Sequence, residues 1–180
     1  MSIATHTLLW LFPISFMFHD FEEIIIWERW MNKNGGEIKR RVPTFLAKQV
    51  DAFVGKSTAQ ISLVVCLIFS LTVLSALLAT VYGTYSFFLL TSAMFFVHGF
   101  GHIGQSIVLR KYVPGVITSA LIVIPYGLML YWRLTGEGMV DLSGLSIYVL
   151  LGAVLMVPFI LGMHKAGEYL YTKAVRLLIH

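Results

Sequence analysis

The stretch HDFEE, residues 19–23, places a histidine and three acids inside an otherwise apolar run, FMFHDFEEIII at 16–26. Two later apolar runs carry the same kind of interruption. HGFGHIGQ at 98–105 contains His98, His102 and Gln105, and HKAGEYLY at 164–171 contains His164, Lys165, Glu168 and Tyr171. The spacings are helical. His19, Glu22 and Glu23 fall at i, i+3 and i+4, within about 100° of arc, with Asp20 near its edge. His98, His102 and Gln105 fall at i, i+4 and i+7, and His164, Glu168 and Tyr171 repeat that interval. Four imidazoles and three carboxylates brought face to face form a metal-binding set. Nitrogen and oxygen donors without thiolate suit zinc, iron or manganese and disfavour iron–sulfur clusters or Cu(I).

Charge arithmetic sharpens the expectation. Three carboxylates and four neutral imidazoles sum to −3. One divalent ion leaves −1, and two leave +1, which a bridging hydroxide cancels. Burial favours neutrality. The expectation is two divalent metal ions, iron or zinc, with a single ion as the other option. Their ligands are His19, Glu22, Glu23, His98, His102, His164 and Glu168. Glu23 or Glu22 could instead be a catalytic general base, with Asp20, Gln105 and Tyr171 supporting the ligands from behind. A lone membrane histidine more often makes a hydrogen bond between helices. Here, however, three carboxylates at mid-bilayer cost about 8–10 kcal/mol together. No Lys or Arg lies at that depth on those faces, because Lys165 points about 100° away from His164. The His-x-x-Glu order reverses the Glu-x-x-His of di-metal carboxylate bundles, so that parallel is geometric.

These faces need elements to carry them. Of the 180 residues, 58% are hydrophobic and 12% charged, too few polar groups to cover a soluble domain. The expected fold is all-α: a polytopic membrane helix bundle, one domain over 1–180, with five transmembrane helices at about 7–27, 58–81, 86–109, 115–132 and 146–171. Trp10, Trp27, Trp30 and Trp132 fall at span ends, where indoles favour the interface. Residues 1–13 lack Lys and Arg, so the first segment is expected to be retained rather than cleaved as a signal. Cys66 is the one cysteine and makes no internal disulfide.

The basic residues orient the spans. Arg29, Lys33, Lys39, Arg40, Arg41, Lys48 and Lys56 follow the first span. Arg110 and Lys111 follow the third, and Lys165, Lys173 and Arg176 lie at the C-terminal end. Of the thirteen, Arg133 alone falls on the other side. The positive-inside rule then puts the N-terminus outside and the C-terminus in the cytoplasm, in the plasma (inner) membrane. In the first cytoplasmic loop, Phe45, Leu46, Val50, Phe53 and Val54 give residues 43–54 an apolar face, expected to form a short interfacial helix on anionic lipid. Nothing suggests nucleic acid, and no oligomeric state is implied.

The odd-numbered spans then all run the same way. At 1.5 Å per residue, residues 19–23 lie about 18–24 Å below the outer surface, level with His98 and His102. His164 and Glu168 come out deeper, which a tilted fifth helix corrects. Gly99, Gly101 and Gly104 are expected to let backbones approach closely. YVPG at 112–115 reads as a type II turn: Pro114 sets the first central φ, and Gly115 supplies the positive φ that follows.

HDFEE, the histidines of HGFGH, and YVPG, in that order over residues 19–115, resemble the HXXEE-domain family of integral membrane proteins. The resemblance implies that His19, Glu22, Glu23, one of His98 and His102, and the turn residues Tyr112, Pro114 and Gly115 are the family's motif positions. It supports the membrane class and supplies no reaction. The residues point to a metal-dependent membrane enzyme acting on a lipid or other hydrophobic substrate. A di-metal oxidoreductase leads, ahead of a zinc-dependent intramembrane hydrolase. A metal-ion or proton transporter and a metal-stapled scaffold are the readings from other classes. The charge distribution yields a direct test: a cytoplasm-active reporter fused after His180 is expected to be active, and one fused before Ser2 inactive. The opposite pattern contradicts the orientation.

Overall fold

The structure, a computed structural model, describes residues 3–42 and 44–179. Its regular elements are all helices: α1 (Ile3–Arg41), α2 (Thr44–Phe53), α3 (Thr58–Tyr82), α4 (Tyr85–Leu109), a short α5 (Val116–Thr118), α6 (Ile124–Gly136) and α7 (Leu142–Ile179). A π-helical turn, Ser119–Val123, joins α5 to α6 without a break. Pro125 lacks the N–H that a regular α-helix would bond back to the preceding turn, which fits the widened turn before it.

Four helices are long and apolar enough to cross a membrane: Thr58–Tyr82, Tyr85–Leu109, Val116–Gly136 and Leu142–Leu177. They coincide with the expected second to fifth spans. Only 6% of the apolar window of α7 is buried within the protein, so its surface needs an apolar solvent. These are the features of an integral membrane protein. α1 is not among the four, because the polar run from His19 to Glu23 interrupts its apolar length.

α1 also differs from expectation at its far end. It continues past residue 27 to Arg41, 39 residues in all and about 58 Å long. Arg29, Lys33 and Lys39–Arg41 therefore stand on a helix rather than in a loop. Its last turns pack against the turn that follows α2: a Cβ on Gly35 would lie 2.6 Å from Val54 Cγ2. α2 forms where the interfacial helix was expected. It packs against the bundle, because Val50 is buried and Phe53 meets Trp27 and His164 edge-on. The side chains of Phe45 and Leu46 lie outside the described residues.

The ends of the spans are locally encoded. Ser57 and Gln60 form a reciprocal capping box at the start of α3, and Gly83 closes it in the left-handed conformation. At the start of α7, Asp141 accepts hydrogen bonds from the Ser143 hydroxyl and the Gly144 N–H, which hold its carboxyl below its usual value. Phe12, Phe88, Leu9, Leu130 and Leu134 fill the core where α1, α4 and α6 meet. Close approach of α4 and α6 depends on Gly127, where a Cβ would lie 2.3 Å from the Phe96 ring. Gly127→Val is expected to destabilise by about 1–3 kcal/mol through overpacking. Gly162→Val, with no neighbour within 4 Å, is the control. Thermal unfolding in detergent checks this, and equal loss in both variants contradicts it.

Candidate metal centre

His19 and Glu23 lie one turn apart on α1, and His98 and His102 one turn apart on α4. The two pairs converge on a single point. One ligand atom from each of these four residues lies within 4.8 Å of every other. Glu23 Oε1 is 2.8 Å from His102 Nε2, 3.6 Å from His98 Nε2 and 3.9 Å from His19 Nε2. The two α4 imidazoles put their Nε2 atoms 2.8 Å apart. His19 is fully buried, and His102 nearly so.

The tautomer of His19 follows from its neighbours. The Thr118 hydroxyl lies 2.6 Å from Glu22 Oε2 and 2.9 Å from His19 Nδ1. A carboxylate only accepts, so Thr118 donates to Glu22 and accepts from His19 Nδ1–H. The His19 Nε2 lone pair is then free, and it points into the cluster with no hydrogen-bond partner.

Glu22 itself faces the other way. Its Oε1 accepts from the Tyr112 hydroxyl at 2.6 Å, and its Oε2 from the Thr118 N–H at 2.8 Å as well as from the Thr118 hydroxyl. A longer contact from Ile117 N, at 3.4 Å, completes the set. Glu22 thus closes the N-terminus of α5, where free N–H groups and the helix dipole favour an anion. The expected type II turn is present: Gly115 has φ 86° and ψ −10°, and Val116 N bonds Val113 O at 3.1 Å. Gly115 also lies directly under the cluster. A Cβ there would lie 2.9 Å from His19 Cε1, 3.0 Å from His102 Cε1 and 3.1 Å from Glu23 Oε1.

Four of the seven expected ligands therefore meet: His19, Glu23, His98 and His102. Glu22 stands behind His19, linked to it through Thr118. His164 is apart from the group, packed edge-on against Phe53 with its Nδ1 buried and unpartnered. Glu168 is exposed on α7 and pairs with Lys56 at 3.4 Å. Neither residue of α7 joins the group of four. Asp20 is buried beside the site with its Oδ2 unpartnered. Of the three glycines, Gly99 makes the expected close approach, to Val123. Gly101 and Gly104 meet nothing within 4 Å. Thr118 was not anticipated. The acceptor at His19 Nδ1 is a threonine on another helix, which no spacing within HDFEE indicates.

A cavity of about 700 Å³ opens beside the cluster, between α1, α3, α4 and α7. Glu23, His98 and His102 reach it, as do Asp20, Gln105 and His164, while Tyr171 does not.

The donor chemistry fits a metal ion. Three imidazole nitrogens and a carboxylate oxygen crowd one spot, two ring nitrogens of the group, His19 Nε2 and His102 Nδ1, are buried without a partner, and no Lys or Arg pairs with Glu23 among the described ion pairs. The group could hold a metal ion.

Residues 10–130 match the family described as "Protein of unknown function with HXXEE motif", and the chain belongs to that family. No curated protein matches the chain, and no solved structure does. The matched segment contains the four clustered residues, Glu22, Tyr112, Gly115 and Thr118, and ends before α7.

Gly115→Val both forces positive φ on a branched residue and drives a side chain into the cluster. It is expected to destabilise by about 1 kcal/mol or more. Gly36→Val, with open space around it, is the comparison in thermal unfolding. Unchanged stability of Gly115→Val contradicts the turn's role.

Proposed function

We propose that this member of the HXXEE family is a membrane-embedded, metal-dependent enzyme acting on a lipid or other hydrophobic substrate. The observation that carries this reading is the convergence of His19 Nε2, His98 Nε2, His102 Nε2 and Glu23 Oε1 on one point beside a largely apolar cavity. In this reading α1 supplies the first span and brings the total to five, with the N-terminus outside and the C-terminus in the cytoplasm. Its charged C-terminal turns then project into the cytoplasm.

The donor set supports one divalent ion better than two, because Glu22 and Glu168 are engaged elsewhere and a single carboxylate remains. The three imidazoles hold the ion. His19 does so through Nε2, because Thr118 and Glu22 fix its proton on Nδ1. Glu23 lines the cavity and acts either as a fourth ligand or as the base that takes a proton from a substrate or water. An ion there supplies a Lewis acid that polarises an oxygen in the cavity. One carboxylate and three imidazoles favour hydrolytic chemistry of the zinc type over a carboxylate-bridged di-iron oxidation. Glu22 and Tyr112 are positioning residues, acting through Thr118 and the turn.

Metal content of detergent-purified protein, read by plasma mass spectrometry, tests the reading. The unaltered protein is expected to carry about one equivalent of metal per chain, and His19→Ala and His98→Ala little. Thr118→Val is expected to weaken metal affinity about 10–100-fold, as loss of a partner behind a ligand does. Glu168→Ala is expected to retain metal. Metal-free unaltered protein from metal-replete growth, or equal metal in His98→Ala, contradicts the proposal.

A further inference from the structure

The cavity runs well beyond the cluster. Along α1 its walls extend from Phe12 to Arg41, about 43 Å at 1.5 Å per residue, with Asp20 and Glu23 partway between. Leu71 and Met94 line the portion near Phe12, and Ile38 and Val42 the portion near Arg41. The polar groups therefore form a band across the slot, not its floor. Three of them have an unpartnered buried atom: Asp20 Oδ2, on a residue 5% exposed, His102 Nδ1, and His164 Nδ1 on the facing helix.

The α4 wall of that band contains Gly101 and Gly104. Helix glycines are costly unless something needs the space. At both positions a Cβ would meet nothing within 4 Å, so the space they leave is not used by another helix. It belongs to the cavity. At the Arg41 end the charge is positive: Glu37 pairs with both Arg41 and Lys111, one acid serving two cations.

We infer that the slot binds a single-chain amphiphile with an anionic head, such as a fatty acid. Its head lies at the Arg41 rim, and its chain runs past Gly104 to the polar band at Gly101 and ends there, because an eighteen-carbon chain covers only about half the slot's length. A volume of about 700 Å³ drawn out over that length admits one chain, and a two-chain phospholipid overfills it. The polar band then faces a position along the chain rather than the head. Gly101 and Gly104 set specificity by leaving room for the chain. The inference rests on the metal-enzyme reading for its chemistry but not for its binding.

Binding of radiolabelled oleate to the full-length protein in lipid nanodiscs, scored above empty discs, tests it, with metal content measured on the same samples. Oleate is expected to bind saturably. Gly101→Leu and Gly104→Leu are each expected to weaken binding at least about tenfold while keeping the metal. Oleyl alcohol is expected to compete about tenfold less well than oleate, a difference that disappears in Arg41→Gln. Unsaturable binding, unchanged affinity in both leucine variants, loss of metal in them, or competition by a diacyl phosphatidic acid equal to that by oleate overturns the inference. Oleate binding without metal sinks the metal reading alone. Metal without oleate binding sinks this inference alone.

Discussion

The architecture of the site depends on one partly buried carboxylate, that of Glu22. It accepts hydrogen bonds from the Tyr112 hydroxyl, the Thr118 hydroxyl and the Thr118 N–H, and so ties α1 to the turn that follows α4. Three consequences follow from that junction. The turn is held under the cluster, where only glycine fits at position 115. Thr118 is oriented to receive the proton of His19 Nδ1, which leaves Nε2 free. The N-terminus of the α5–α6 span acquires the anion that its exposed N–H groups favour. Trp30 reinforces the junction with a hydrogen bond to Tyr112 O at 2.8 Å. The two Glu residues of the motif thus have different surroundings: Glu22 holds the scaffold, and Glu23 faces the three histidines and the cavity.

Glu23 poses the opposite problem. Its partners are imidazoles, and no lysine or arginine pairs with it among the described residues. Neutral imidazoles cannot cancel a buried negative charge, and the His19 Nε2 lone pair meets no donor. A divalent cation resolves both difficulties at once: it offsets the carboxylate and takes up the lone pairs. Protonated histidines are the alternative source of charge, at the cost of repulsion between rings whose centroids are 4.3–5.4 Å apart.

Much of this was legible in the sequence. The apolar spans follow from length and composition, and the turn from Pro114 and Gly115. The pairing of His19 with Glu23 and of His98 with His102 follows from the helical repeat. What was not legible needed tertiary context. A carboxylate at i+3 from a ligand looks like another ligand, and only the N–H groups of a different helix reveal Glu22 as their partner. His164 and Glu168 have ligand spacing, but α7 packs so that one meets Phe53 and the other Lys56. Gly101 and Gly104 have the spacing of a helix-packing face, yet they open onto a cavity. The length of α1 was hidden because its charged C-terminal half reads as a loop when lipid is assumed to end the helix.

The central claim is that three imidazole nitrogens surround one ion, and X-ray absorption of the purified protein tests it most directly. The account predicts an edge from one bound metal with a shell of nitrogen and oxygen only. At about 2.0–2.1 Å for zinc, that shell should show outer scattering from three imidazole rings, falling to two in His19→Ala. A shell containing sulfur, a shell of oxygens without imidazole scattering, or a spectrum unchanged by His19→Ala would contradict it.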